Sequence, residues 1–278
     1  MRTNRKLGIL ALAEGLHTEA RVRRGFGDFL SALGFGAPKT AALPTGVRVY
    51  AVGDIHGCSA LLDRLHERIA ADAAPSSAEK RIIYLGDYVD RGPDSKGSIE
   101  RLLHAVPAGL TPVYLKGNHD GALLDFLENS ETYRAWRSFG APATLLSYGV
   151  RPPLYDSLEA FEAARIALSG SIPAEHLQFL RNLELSFVLG DYVFVHAGLR
   201  PGIPIARQQE QDLLWIRDEF LSSGTTFEKC VVHGHTPVPT AARLRQRIPV
   251  DTGAYATGIL TCAVLEADQC RFLQVGRP

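Results

Sequence analysis

Val47-Arg48-Val49-Tyr50-Ala51-Val52-Gly53-Asp54-Ile55-His56-Gly57 joins an apolar run to a polar turn, and that join decides the fold. Residues 47–52 read as a short strand ending at Gly53. Leu61, Leu62, Leu65 and Ile69 then recur at helical spacing and stop before Pro75. The pattern repeats. Residues 81–85 form a second apolar run closed by Gly86, followed by a helix that holds Ser98, Ile99, Leu102 and Leu103 and ends by Pro107. Residues 111–116 form a third run closed by Gly117, with a helical stretch at 123–127 behind it. Strand and helix alternate with a period of roughly thirty residues, the size of one βαβ unit. Such crossovers build parallel sheet, whose ligands sit beyond the carboxyl ends of the strands. The residues after Gly53, Gly86 and Gly117 should therefore meet in space.

Outward from these units, residues 130–184 look helical, interrupted by Gly140, Gly149, Pro152-Pro153 and Gly170. The back half returns to strands at 185–189, 192–195, 230–232, 248–250, 259–265 and 271–275, antiparallel or mixed in pairing. The 278 residues are 46% hydrophobic, 8% aromatic and 22% charged, which excludes disorder and fibrous repeats. Thirty Lys plus Arg balance thirty Asp plus Glu. No overall field then draws the chain to nucleic acid or to an anionic membrane, and neither is expected as a partner. No apolar run approaches the roughly 18 residues that span a bilayer. Cys58, Cys230, Cys262 and Cys270 stand far apart, which argues against a disulfide framework and for a reducing, cytoplasmic setting. Residues 1–45 carry Arg2, Arg5, Lys6, Arg21, Arg23, Arg24 and Lys39 against Glu14, Glu19 and Asp28. Asp28 falls where an export signal after Arg23-Arg24 would need its apolar core. This stretch reads as a basic, partly ordered extension ahead of a catalytic domain at 46–278.

The strand ends gather a distinct chemistry. Asp54 and His56 follow the first, Asp87, Asp90 and Arg91 the second, and Asn118, His119 and Asp120 the third. Later strands deliver His196 and His235. An aspartate before a helix is an ordinary cap, which accounts for one of Asp54, His56 and Asp87 but not for all three. Carboxylates crowded at a half-buried sheet edge would cost several kcal/mol without compensation. Cations among them would supply it. Carboxylate, amide and imidazole donors suit divalent Mn, Fe or Zn, and their number exceeds the three protein ligands of one catalytic zinc. Two ions sharing one carboxylate would use them all, in the arrangement that serves displacement at phosphorus.

Five blocks, Gly53-Asp54-Ile55-His56-Gly57, Gly86-Asp87-Tyr88-Val89-Asp90-Arg91-Gly92, Gly117-Asn118-His119-Asp120, Val195-His196-Ala197-Gly198-Leu199 and Gly234-His235-Thr236, resemble the calcineurin-like metallophosphoesterases. Among these the chain is most similar to the phosphoprotein phosphatase branch, in its bacterial, phage-lambda-type and Rhizobiales-like members. The resemblance runs from about residue 47 to 265. It implies an α/β sandwich of two mixed β-sheets flanked by helices, with residues 121–184 forming a helical rim that chooses substrates. It further implies that Asp54 and His56 bind one divalent ion, that Asp87 bridges, and that Asn118, His196 and His235 bind the second. His119, oriented by Asp90, would protonate the leaving oxygen, while Arg91 and Arg217 would grip the phosphoryl oxygens. The activity implied is hydrolysis of phosphomonoesters on phosphorylated Ser or Thr, with Tyr open, by hydroxide generated at the metal pair. A phosphorylated protein or peptide is then the expected substrate.

Other readings stand beside this one. A dinucleoside polyphosphate hydrolase of the diadenosine tetraphosphate type would share the scaffold, although Val89-Asp90-Arg91-Gly92 sides with the protein phosphatases. A non-catalytic phosphate sensor is disfavoured because no ligand, acid or arginine position is missing. His233 reads as a supporting neighbour of the ligands. His17, His66, His104 and His176 read as surface or packing residues, and Tyr255 as either pocket-facing or strand packing. Asp120 stands where eukaryotic relatives usually carry Glu.

Overall fold

A computed structural model of the chain describes residues 40–276. Most of the expected N-terminal extension, residues 1–39, lies outside them. Residues just past that point already belong to the domain. The Tyr192 hydroxyl donates to the Ala41 carbonyl (2.9 Å), Asp191 N to Ala42 (2.9 Å) and Leu43 N to Ala267 (2.9 Å).

Two mixed sheets face each other. The first has the order β3-β2-β1-β8-β9, with β1 (Val47–Val52), β2 (Glu79–Tyr84) and β3 (Thr111–Tyr114) parallel. Strands β8 (Leu260–Glu266) and β9 (Gln269–Val275) complete it antiparallel. The second has the order β4-β5-β6-β7. Here β5 (Tyr192–Val195), β6 (Cys230–His233) and β7 (Arg247–Pro249) are parallel, and β4 (Ser186–Leu189) pairs antiparallel with β5. Successive strand side chains point to opposite faces. Val49 and Ala51 of β1 therefore turn into the space between the sheets, with Ile83, Leu85, Tyr192, Phe194, Val232 and Ile248. Tyr50 and Val52 turn outward onto α1 (Ser59–Ala73) and α2 (Ser95–His104), meeting Leu62, Leu65, Ile69 and Ile99. Nearly continuous apolar strands follow, because both faces are covered.

Helix α3 (Asn118–Glu128) starts five residues earlier than its apolar spacing implies. Its first turn is the Asn118-His119-Asp120 block, whose polar side chains mask the helical period. The rim continues through α4 (Tyr133–Trp136), α5 (Ala141–Ser147), α6 (Leu158–Ser171) and α7 (Ala174–Arg181). Beyond β5 come α8 (Glu210–Trp215) and α9 (Asp218–Leu221), which close over the outer face of the second sheet through Leu213, Ile216 and Phe220. Tyr255 is not on a strand. It lies on the short helix α10 (Ala254–Thr257), bracketed by left-handed Gly253 and Gly258. Among the described residues, no helix is long and apolar enough to cross a membrane.

Candidate metal centre

The carboxyl ends of both parallel triplets meet. From the first sheet come Asp54 and His56 after β1, Asp87, Asp90 and Arg91 after β2, and Asn118 and His119 after β3. From the second come His196 after β5 and His235 after β6. Backbone bonds tie the turns together. Ile55 N and His56 N donate to the Asp87 carbonyl (3.2 and 2.8 Å), Gly57 N to Tyr88 (2.9 Å) and Gly234 N to His196 (2.8 Å). His56, Asp87, Asp90, Arg91 and His235 all hold left-handed backbone, with φ between 44° and 71°. Only one other described non-glycine residue, Ala267, does so. At two positions the approach admits no side chain: a Cβ on Gly117 would overlap the Asp87 carboxylate, and one on Gly234 the Asp54 carboxylate.

Each imidazole is aimed by its neighbours. His56 Nδ1 donates to the Val89 carbonyl (2.9 Å) and His196 Nδ1 to the Leu85 carbonyl (2.8 Å), which leaves Nε2 of each without a proton in the neutral ring. His56 Nε2 stands 3.5 Å from Asp87 Oδ2. His196 Nε2 stands 3.4 Å from the same oxygen and 3.0 Å from Asn118 Oδ1. Buried His235 Nε2 has no hydrogen-bond partner. Lone pairs thus converge on Asp87 from two sides. Two ligand sets share it: His56, Asp87 and His119, and Asp87, His196 and His235. Donor atoms about 2.0–2.2 Å from one ion stand about 3.0–3.5 Å apart, so these separations fit a cation on each side of Asp87. Both Asp54 oxygens lie at His235 N (3.2 and 3.1 Å).

The electrostatics of the metal-free site agree with that reading. Burial raises the Asp87 carboxyl, but His196, His119 and His56 outweigh it and hold Asp87 well below the usual carboxylate range. Burial lowers His196, and Asp87 with Asp54 reverses the effect and lifts it to about 9. A proton thus takes the place of a cation there. Burial pushes His56 down to about 3 and His235 to about 2; both are bare imidazoles, as ligands must be. Burial, then the charge of Asp251, holds Asp54 well above its ordinary range.

His119 sits beside the Asp87 carboxylate, with Nε2 3.8 Å from Asp87 Oδ2. His119 Nδ1 donates to Asp90 Oδ2 (2.8 Å). The same oxygen takes Trp136 Nε1 (2.8 Å), and Thr144 Oγ1 donates to Asp90 Oδ1 (2.6 Å). His119 Nε2 accepts from Arg91 Nη2 (3.1 Å), and the Arg91 guanidinium lies 4.7 Å over the Tyr255 ring. Tyr255 therefore faces the pocket. Arg217 reaches the second ligand turn, with Nη1 donating to the His235 carbonyl (3.2 Å) and Thr236 Oγ1 (3.0 Å). Its head is exposed, on the rim. Asp120 accepts from the backbone N–H of Asp87, Tyr88 and Gly117 (2.9, 3.0 and 2.9 Å), so its short side chain shapes the turn that aims Asp87. His233 packs on Phe220 and feels the charge of His196.

Sequence reading missed Asp251, Trp136 and Thr144. Asp251 follows β7 at the same sheet edge, buried beside Asp54, and strand-end logic applied to β7 would have found it. Trp136 and Thr144 sit on rim helices with no local signal. A cavity of about 540 Å³ opens beside Asn118 and is walled by Trp136, Phe139, Leu214 and Trp215, with Lys116 and Glu210 at its edge.

The calcineurin-like phosphoesterase family matches residues 47–259. The symmetrical bis(5'-nucleosyl)-tetraphosphatase of Dechloromonas aromatica is 33% identical over 161 residues, covering 58% of this chain and 47% of that protein. The chain spans about half the length of such relatives. The asymmetrical bis(5'-nucleosyl)-tetraphosphatase PrpE of Bacillus mycoides is 26% identical over 229 residues, 76% of this chain and 87% of that one. In fold, the chain resembles the crystal structure of a candidate diadenosine tetraphosphatase, with TM-score 0.56 and 23% identity over 87% of this chain and 97% of the other. These names overturn the expectation of a phosphorylated protein or peptide as substrate. The physical reason lies in what the blocks touch. The motif blocks lie at the strand-end cluster, where Asp90 and Arg91 touch His119, and not at the cavity walls that would meet the rest of a substrate.

Proposed function

As a member of the calcineurin-like phosphoesterases, whose enzymes work with a dinuclear divalent centre, the chain is a metallophosphoesterase, and we propose that it hydrolyses dinucleoside polyphosphates of the diadenosine tetraphosphate class. The observation that carries this reading is the aromatic cavity beside Asn118. Its volume falls within the range of small-ligand sites. Trp215 and Phe139, with ring centroids 5.4 Å apart, offer a nucleobase the faces on which bases stack. The names of the relatives support the same substrate class.

Asp54, His56 and Asp87 would hold one ion of the Mn, Fe or Zn type, and Asp87, Asn118, His196 and His235 the other, with His119, which stands in the His56–Asp87 group, kept for the proton. Such a pair, when bound, polarises phosphoryl oxygens and lowers the pKa of water. Arg91 and Arg217 take the non-bridging oxygens, for which a planar guanidinium fork is suited. When Arg91 turns to the phosphoryl group it leaves His119 Nε2. That nitrogen can then carry a proton to the departing oxygen, with Nδ1 and the resulting charge held by Asp90. Residues 121–184, together with Leu214 and Trp215, supply the walls that select what the phosphate carries, and the setting is cytoplasmic.

Diadenosine tetraphosphate, a phosphoserine peptide and a small aryl phosphate, each assayed with Mn, Fe or Zn, test the reading. Cleavage of the dinucleotide with the highest kcat/KM is expected, and the products (two ADP, or AMP with ATP) give the phosphorus attacked. Efficient phosphate release from the peptide with the dinucleotide left intact would refute it.

A further inference from the structure

The rim is joined to the core at a second cluster of ligating side chains, away from the strand ends. Glu100 and His104 stand on α2, and Glu175 and His176 on α7. One oxygen each of Glu100 and Glu175 and one nitrogen of His176 all lie within 4.8 Å of one another. His104 Nε2 stands 3.5 Å from Glu175 Oε2 and 3.8 Å from Glu100 Oε2. The carboxylates are partly exposed, and by themselves they would carry no weight.

The imidazole is what distinguishes the cluster. His176 is fully buried, and its Nδ1 meets the Tyr148 hydroxyl (2.9 Å), which fixes the ring. Its Nε2 points at the carboxylates, 3.2 Å from Glu100 Oε1, and makes no hydrogen bond. A buried nitrogen aimed between two anions, with no well-formed hydrogen bond among the described residues, is placed to share a cation with them. Four donors around a tetrahedral zinc stand about 3.3–3.5 Å apart. The separations of 3.2, 3.5 and 3.8 Å approach that figure with small side-chain movement. Two imidazoles and two carboxylates also match the borderline divalent ions rather than calcium or magnesium. With Nδ1 engaged by the Tyr148 hydroxyl, Nε2 is the nitrogen that faces the carboxylates, oriented by a neighbour as zinc-bound histidines usually are.

We infer that Glu100, Glu175 and His176, with His104 as fourth ligand, form a structural site for a zinc-class divalent ion that clamps the rim helix α7 to α2. The rival is the direct contact of the side chains themselves, His176 Nε2 with Glu100 and His104 Nε2 with both carboxylates.

The test uses the full chain, dialysed against buffered Zn2+ and analysed for bound metal beside Glu175→Gln and the double variant Glu100→Gln/Glu175→Gln. Wild type is expected to hold one zinc per chain more than the double variant, and Glu175→Gln to bind that zinc at least tenfold more weakly. Zinc should also raise the Tm of wild type by several degrees more than that of the double variant. None of these residues touches the phosphoryl site, so retained aryl-phosphate turnover certifies the fold of each variant. If the double variant loses that turnover, the exposed single change Glu175→Gln decides. Equal zinc content and equal Tm shifts in wild type and variants would overturn the site and leave the direct histidine–carboxylate contacts in its place.

Discussion

Replacing Asp90 by Asn isolates one charge in a pocket that accepts the new side chain. The Asp90 side chain is fully buried and accepts three hydrogen bonds, from His119, Trp136 and Thr144. An amide oxygen in the Oδ2 position still accepts from His119 and Trp136. The amide nitrogen then faces Thr144 Oγ1, whose hydroxyl turns to donate toward Ser95 Oγ at 3.0 Å. Geometry survives; the negative charge under the imidazole does not. Hydrogen bonds to a charged group contribute about 1.5–3 kcal/mol and neutral ones about 0.5–1.5. The imidazolium that must stand ready to deliver the proton thus loses about 1–2 kcal/mol of support, or roughly 5- to 30-fold in kcat. The ceiling, set by removing the acid altogether in His119→Ala, is about 10²–10⁴-fold. Leaving groups separate the effects. An alkyl phosphate expels a poor leaving oxygen and should show the whole loss. A dinucleoside polyphosphate expels an anhydride oxygen that needs little protonation, and should lose less than about threefold. Steady-state kinetics of Asp90→Asn with both substrates, at saturating metal, make the comparison. An equal loss with both would refute the role given to His119, and an unimpaired variant would refute the role given to Asp90.

Asp87 serves both ligand sets, so Asp87→Asn removes several kcal/mol of transition-state stabilisation. Turnover of an aryl phosphate should fall by at least about 10³-fold, chelation should do the same, and only the chelated wild type should recover on adding Mn. Both tryptophans of the chain, Trp136 and Trp215, line the cavity beside Asn118, so AMP should quench the intrinsic fluorescence of metal-free protein. Phe139→Ala should raise KM for the dinucleotide by about tenfold, the value of one stacked base, while its kcat changes little; no quench and an unchanged KM would empty that cavity of its base. Burial depresses His66 to about 4, and its Nε2 pairs with the Tyr84 hydroxyl at 2.7 Å. Its neutral form therefore stabilises the fold above pH 6.5, and that contribution is lost as pH falls toward 4, because the unfolded chain takes up the proton first. His66→Gln should flatten the fall of unfolding free energy between pH 6 and 5 by close to one proton, measured by urea denaturation at each pH.

The legible part of this molecule is the part in which chemistry sits next to a strand end in the chain. Strand β1 falls at the expected residues because Val47–Val52 is apolar on both faces and stops at a glycine. Asp54, His56, Asp87, Asn118, His196 and His235 gather because parallel strands deliver their C-terminal neighbours to one edge. What escaped depends on distance in sequence. Trp136 and Thr144 reach Asp90 from 46 and 54 residues away, and nothing near either residue announces the contact. The start of α3 escaped because a motif of ligands does not look amphipathic. The expectation of a phosphorylated protein failed for a related reason: the five motif blocks surround the strand-end cluster, while the walls of the cavity beside it are residues that form no pattern along the chain.

The left-handed residues of the centre bear on how far this protein can be stabilised. Sparsely populated backbone at His56, Asp87, Asp90, Arg91 and His235 stores on the order of 1 kcal/mol or more per position. Five such residues together approach the whole net stability of a typical domain, about 5–15 kcal/mol. Glycine would remove that strain, but at Asp90 it would also orphan the buried donors of His119, Trp136 and Thr144, and at Asp87 the His119 N–H. The strain is thus locked in by the cluster's own hydrogen bonds, and heat stability and the geometry of this centre cannot be tuned apart at these five residues.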